Sequence, residues 1–100
     1  MGNSGPDLAD IRRQIDDVDQ RLVLLLAERA RLVEEVVHYK RGHHMAVVDR
    51  GREEEMLARI AGLAKDAGLD PRVAQQVLRT IIDGFTLLEV EELGPDLEDS

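Results

Sequence analysis

The sequence predicts an all-α fold of three helices, long, short and medium, that associates as a homodimer. Three observations predict it. Apolar residues recur in steps of three and four along almost the whole chain, and no segment alternates as a strand would. No Gly or Pro occurs between Asp7 and Arg41. Helix punctuation then falls at Gly42, at Gly68, at Asp70-Pro71 and at Gly94-Pro95.

Residues 1–6 are small and polar and read as a disordered lead-in to a domain over 7–94. In the first helix the apolar stripe is Leu8, Ile11, Ile15, Val18, Leu22, Leu25, Leu32 and Val36, a coiled-coil type of spacing. Asp7 is the expected N-cap, and Lys40 and Arg41 complement the C-terminal dipole before Gly42 ends the helix. Such a helix is roughly 50 Å long at 1.5 Å per residue. A compact domain of this size has a radius of gyration of only about 13 Å. The stripe therefore needs a second chain to cover it, and a second copy is the simplest source. Residues 42–48 form a loop. The second helix starts near Asp49, carries Met56, Leu57, Ile60, Leu63 and Ala64 inward, and stops at Gly68. Asp70-Pro71 opens the third, with an N-cap followed by proline at the first helical position. Its stripe is Ala74, Val77, Leu78, Ile81, Ile82, Phe85 and Leu88, and 95–100 is an acidic tail.

Composition removes several function classes. The 100-residue, 11.2 kDa chain carries 13 basic and 21 acidic residues, a net charge of −8, which disfavours nucleic acid and anionic lipid as partners. Only Tyr39 and Phe85 are aromatic, so platforms for stacking bases are lacking. Cysteine is absent, which leaves no disulfide framework, zinc ribbon or thiol chemistry and is compatible with a reducing compartment. The longest apolar run, Leu22 to Ala27, is too short for a membrane span or a signal sequence, and Pro6 breaks the myristoylation pattern after Met1-Gly2. A cytoplasmic location is expected. His43-His44 lack helical ligand spacing and further ligands, so no metal is expected.

The sharpest signal is charge on the apolar stripes. Stepping four from Leu25 lands on Arg29, and Lys40 lies 11 residues further, about 20° away around the helix, so both cations share a face. Their backbones are about 16 Å apart, within reach of two long side chains leaning over one small anion. Arg12 is 17 residues before Arg29, about 25 Å along the axis, and joins the same site only from the other protomer. In the second helix Glu53 sits three before Met56 and seven before Ile60, with Asp49 one turn earlier and Arg52 beside it. In the third, Ile82, Phe85 and Glu89 follow steps of three and four. Each has an ordinary reading when taken alone. Arg29 serves as a rim or ion-pair residue, Lys40 as a dipole-complementing cation and Arg12 as a surface charge. Asp49 is a cap, Glu53 a first-turn acid and Glu89 an edge residue. Jointly they place cations and carboxylates around one polar pocket inside an aliphatic bundle.

The ordered set Arg12-x-x-Ile15, Asp19, Leu25-x-x-Glu28-Arg29, Lys40, Asp49-x-x-Arg52-Glu53 and Ile81-Ile82 resembles the all-α chorismate mutases, over about Leu8 to Glu91. The resemblance implies an intertwined dimer with two sites, each completed by an arginine from the other chain. It implies a Claisen rearrangement of chorismate to prephenate with no cofactor, metal or covalent intermediate. By the same resemblance Arg29 and the partner chain's Arg12 hold carboxylates of the dicarboxylate substrate, as the planar guanidinium fork suits. Lys40 contacts a carboxylate and the ether oxygen, where negative charge grows in the transition state. Glu53 accepts from the ring hydroxyl with the Asp49 region beside it, and Arg52 supports the pocket. Two positions depart from the commonest pattern. Phe85, next to Thr86, stands where many members carry a small hydroxyl residue. Glu89 stands where bacterial members often carry a glutamine donor to the ether oxygen, and it donates only when protonated. Both bear on substrate identity. The same scaffold hosts isochorismate–pyruvate lyases and mutases of 4-amino-4-deoxychorismate, which Val37-His38-Tyr39-Lys40 also resembles. Chorismate is favoured because Asp49-x-x-Arg52-Glu53 is intact. A reading of another class, a non-catalytic helical dimerisation module, accounts for the long helix but not for the inward charges.

Overall fold

The computed structural model describes residues 7–46 and 49–93, with side chains as far as Leu87. They form three helices, α1 (Leu8–Gly42), α2 (Arg50–Asp66) and α3 (Pro71–Leu93), and among them there is no strand. The lead-in, the stop at Gly94-Pro95 and the acidic tail lie outside the described residues, as do Val47 and Val48 of the loop and the side chains of Leu88 and Glu89. No helix among the described residues is long and apolar enough to cross a membrane. The chain divides into two compact units, 7–36 and 37–93, with the boundary inside α1.

In the first unit, α1 starts as its sequence dictates. The Asp10 backbone N–H donates to Asp7 Oδ1 at 2.9 Å and Ile11 N–H to the Asp7 carbonyl at 3.1 Å, so Asp7 satisfies donors that the first turn would otherwise leave open. Arg13 pairs with Asp10 one turn on. The expected stripe runs along the helix with its side chains in water: Ile11, Ile15, Val18, Leu22, Leu25 and Leu32 are all exposed. The half-buried residues are instead Asp10, Leu26, Arg29, Ala30 and Val33. Arg29 is less exposed than Leu25 and Leu32, and its half-buried neighbours lie on the adjoining strip of the helix. Adjacent residues on a helix differ by 100°, and here both strips are apolar, so periodicity alone does not choose between them.

In the second unit, Val37, Ala64, Ala74 and Ile82 are buried. Met56, Leu57, Ile60, Leu78, Ile81 and Phe85 close around them half-buried. Leu63 and Val77, expected inside, are exposed, as is Val36, whose neighbour Val37 takes the buried position on α1. Gln75 Nε2 donates to the Leu57 carbonyl at 3.2 Å and ties α3 to α2. Two of the four buried apolar residues are alanines, so this unit by itself removes little apolar surface from water.

The two loop-forming ends follow one geometry by different means. At the end of α2, Gly68 N–H bonds the Lys65 carbonyl at 3.2 Å and Leu69 N–H the Ala64 carbonyl at 2.8 Å, with Gly68 at φ +77°. This is a Schellman closure with glycine in the left-handed position. At the end of α1, His44 N–H bonds the Arg41 carbonyl at 3.3 Å and Met45 N–H the Lys40 carbonyl at 2.8 Å. The left-handed residue there is His44, at φ +55°. Gly42, expected to end α1, is its last helical residue, and the closing bonds follow over the next residues. The His43 ring stacks on Tyr39 with centroids 4.0 Å apart, and its Nδ1–H donates to the Tyr39 carbonyl at 2.8 Å. These contacts hold His43 against the last turn of α1. His44→Gly relieves a left-handed cost of about 1–2 kcal/mol, partly offset by the extra freedom of glycine in the unfolded chain. A net gain of about 0.5–1 kcal/mol is expected. A urea midpoint that is unchanged or lower for this variant would contradict it.

The opening of α3 is capped by Asp70, whose Oδ1 accepts from Arg72 N–H at 2.9 Å while the Arg72 guanidinium reaches Oδ2 at 2.8 Å. The Arg72 side-chain hydrogen bonds, aided by its backbone N–H, hold the Asp70 carboxyl below its ordinary range. This pairing stabilises the folded chain above that range and is lost as pH falls through the lowered value.

Candidate active site

Glu53 is the one buried charged side chain among the described residues, 6% exposed. It lies in the first turn of α2, where the helix dipole favours a carboxylate, and on the face that carries Met56 and Ile60. Burying a lone carboxylate costs several kcal/mol, so a native structure supplies partners. Here two guanidinium groups do so, both at Oε1: Arg50 Nη1 at 3.1 Å from one turn earlier, and Arg79 Nη1 at 3.1 Å from α3. Arg79 Nη1 also lies 3.8 Å from Asp83 Oδ1. Sequence reading does not single out Arg79 or Arg50. The available signal for Arg79 is its place three residues before buried Ile82, which turns it toward the packed side of α3.

Asp49 caps α2 in extended conformation, φ −128° and ψ 99°, and its Oδ1 accepts from Arg52 N–H at 3.0 Å. The cap sets the direction of the first turn and so the place of Glu53, whose N–H bonds the Asp49 carbonyl at 3.1 Å. The Arg52 guanidinium is exposed and 3.8 Å from Glu55 Oε2, a weak and screened pairing. Lys40 is half-buried in the last turn of α1, where its carbonyl takes the closing bond from Met45. Phe85 is half-buried on α3, three residues after Ile82. The second unit thus holds Lys40, Asp49, Arg52, Glu53 and Phe85, and within it Asp49, Arg52 and Glu53 come together around the start of α2. Arg12, exposed, and Arg29, half-buried, belong to the first unit. The Glu89 side chain lies outside the described residues. Among the described residues no three His, Asp or Glu side chains converge as a metal site would require.

The described residues form an all-α chain of three helices with a buried carboxylate in the first turn of the second. The model of one family, chorismate mutase type II, matches residues 11–90, and the chain belongs to that family. A chorismate mutase from Methanocaldococcus jannaschii is 29% identical over 86 residues, 86% of this chain and 87% of that protein. The bifunctional chorismate mutase/prephenate dehydratase of Escherichia coli K12 is 35% identical over 89 residues, 89% of this chain and 23% of that enzyme. The T-protein of Enterobacter agglomerans is 37% identical over 76 residues, 76% of this chain and 20% of that protein. The chain thus spans most of the archaeal relative and about a quarter or less of the two longer ones. No solved structure matches.

Proposed function

We propose that the chain is a chorismate mutase, an isomerase that converts chorismate to prephenate by an intramolecular Claisen rearrangement. The observation that carries this is the family match across 11–90, which takes in every candidate site residue from Arg12 to Glu89. A lyase acting on isochorismate, or a mutase of the 4-amino analogue, is not favoured by relatives that bear the name chorismate mutase.

The substrate is a flexible dicarboxylate that reacts only when folded into a chair-like diaxial form. Arg29 and the partner chain's Arg12 clamp its carboxylates, each through a bidentate fork. That clamp converts a rare conformer into the bound one. As the C–O bond breaks, charge collects on the ether oxygen, and Lys40 meets it with a preorganised cation. Glu89 donates to the same oxygen in its protonated form. Glu53 accepts from the ring hydroxyl, the cap at Asp49 holds that turn in place, and Arg52 and Phe85 complete the wall. No cofactor or metal takes part in this scheme.

The site requires a homodimer. Support comes from the stripe on the first unit, where Leu22 is 53%, Leu25 60% and Leu32 55% exposed, more apolar surface than a solitary chain ordinarily leaves in water. A second copy offers an identical stripe and brings its own Arg12. A cytoplasmic location belongs to the same reading, and the cysteine-free sequence is compatible with it.

The test is direct. Purified chain supplied with chorismate, without added metal or cofactor, is expected to form prephenate, detected as phenylpyruvate after acid treatment. A folded, dimeric preparation that forms none would sink the proposal in favour of a non-catalytic dimerisation module.

A further inference from the structure

Glu53 is aimed by whatever holds it, and its two partners differ in kind. Arg50 stands on the same helix, and its side chain is 67% exposed, so its bond is screened and easily exchanged for water. Arg79 comes from 26 residues away on α3, and its side chain is 41% exposed. Its bond joins two helices across the edge of their shared core. Asp83, one turn along α3, lies 3.8 Å from the same Arg79 nitrogen and helps keep the guanidinium on that side. Both guanidinium groups bond Oε1, and neither of these bonds falls on Oε2.

We propose that Arg79 is a positioning residue for the reaction: by fixing Glu53 Oε1 from α3, it turns Oε2 toward the hydroxyl of the substrate ring. The proposal rests on the reading of Glu53 as the acceptor of that hydroxyl. A carboxylate free to rotate about its last torsion spends part of its time with neither oxygen in line. One anchored at Oε1 by a guanidinium nitrogen from another helix presents the second oxygen in a narrower range of orientations. Arg79 does not touch the substrate in this arrangement. It acts through Glu53 alone.

That dependence gives the test. Steady-state kinetics on chorismate are compared for wild type, Arg79→Gln, Arg79→Lys, Glu53→Gln and the double variant Arg79→Gln/Glu53→Gln. Arg50 remains to pair Glu53 when Arg79 is replaced, so the buried carboxylate is not orphaned, and circular dichroism checks that the helices persist. Arg79→Gln is expected to lower kcat/KM about tenfold, the effect of losing one charge-assisted hydrogen bond. Arg79→Lys, which keeps the charge, is expected to recover part of that loss. With Glu53 already replaced by Gln, removing Arg79 should cost almost nothing more, because the two residues act as one unit. A merely structural role would make the two losses multiply, and that result overturns the proposal, as does an Arg79→Gln enzyme with wild-type kcat/KM. Should Glu53→Gln itself be as active as wild type, the role of Glu53 falls and Arg79 with it. Wild type that forms no prephenate would instead overturn the activity itself.

Discussion

Lys40→Ala lowers kcat by about two orders of magnitude or more, the magnitude expected when one preorganised donor to a developing oxyanion is removed. The lysine sits in the last turn of α1, where alanine is an equally good helix former and the backbone closure survives. The Lys40 carbonyl, which takes the Met45 N–H at 2.8 Å, is untouched by the substitution. The loss therefore falls on the ammonium group. Its signature is in the ratio of constants. A contact that strengthens as the ether bond breaks takes kcat and kcat/KM down together. A contact made equally with bound substrate and transition state raises KM and leaves kcat alone. Finding only a raised KM would reduce Lys40 to a carboxylate ligand and remove it from the chemistry.

Arg12→Ala and Arg29→Ala each lower kcat/KM about ten- to a hundredfold, since each removes a charge-assisted pairing with a substrate carboxylate. Mixed in equal amounts and allowed to exchange subunits, the two impaired proteins regain activity. In a mixed dimer one site has lost both arginines and the other has neither substitution. Random pairing makes half the dimers mixed, so about a quarter of the sites in the mixture are wild type. Activity rising toward about a quarter of the wild-type value over the time of exchange is the expected result. A mixture that never exceeds the mean of its parents, while size exclusion shows exchanged dimers, would place Arg12 in its own chain's site or in none. The exposed position of Arg12 on α1 makes alanine harmless to that helix, so lost activity is not a folding effect.

Legibility followed the range of the interaction. The N-caps at Asp7, Asp49 and Asp70 and the left-handed Gly68 are where sequence reading expects them, since each depends on a few neighbouring residues. The inward position of Glu53 also follows from local spacing and is confirmed by its burial. The end of α1 was legible only in part. The helix ends at Gly42 as expected, but it is His44, two residues on, that takes the left-handed position beside the Met45 to Lys40 bond.

What the chain determined by itself is the number of helices, their order and most of their ends, because capping and 3.6-residue periodicity are written within a turn or two of each residue. Tertiary structure decided that Val37 rather than Val36 is buried and that Arg79 holds Glu53. Those outcomes depend on how α2 and α3 pack and on groups brought together from 26 residues apart. A buried carboxylate must find a cation, but pattern alone does not say which arginine comes within 3.1 Å once the helices meet.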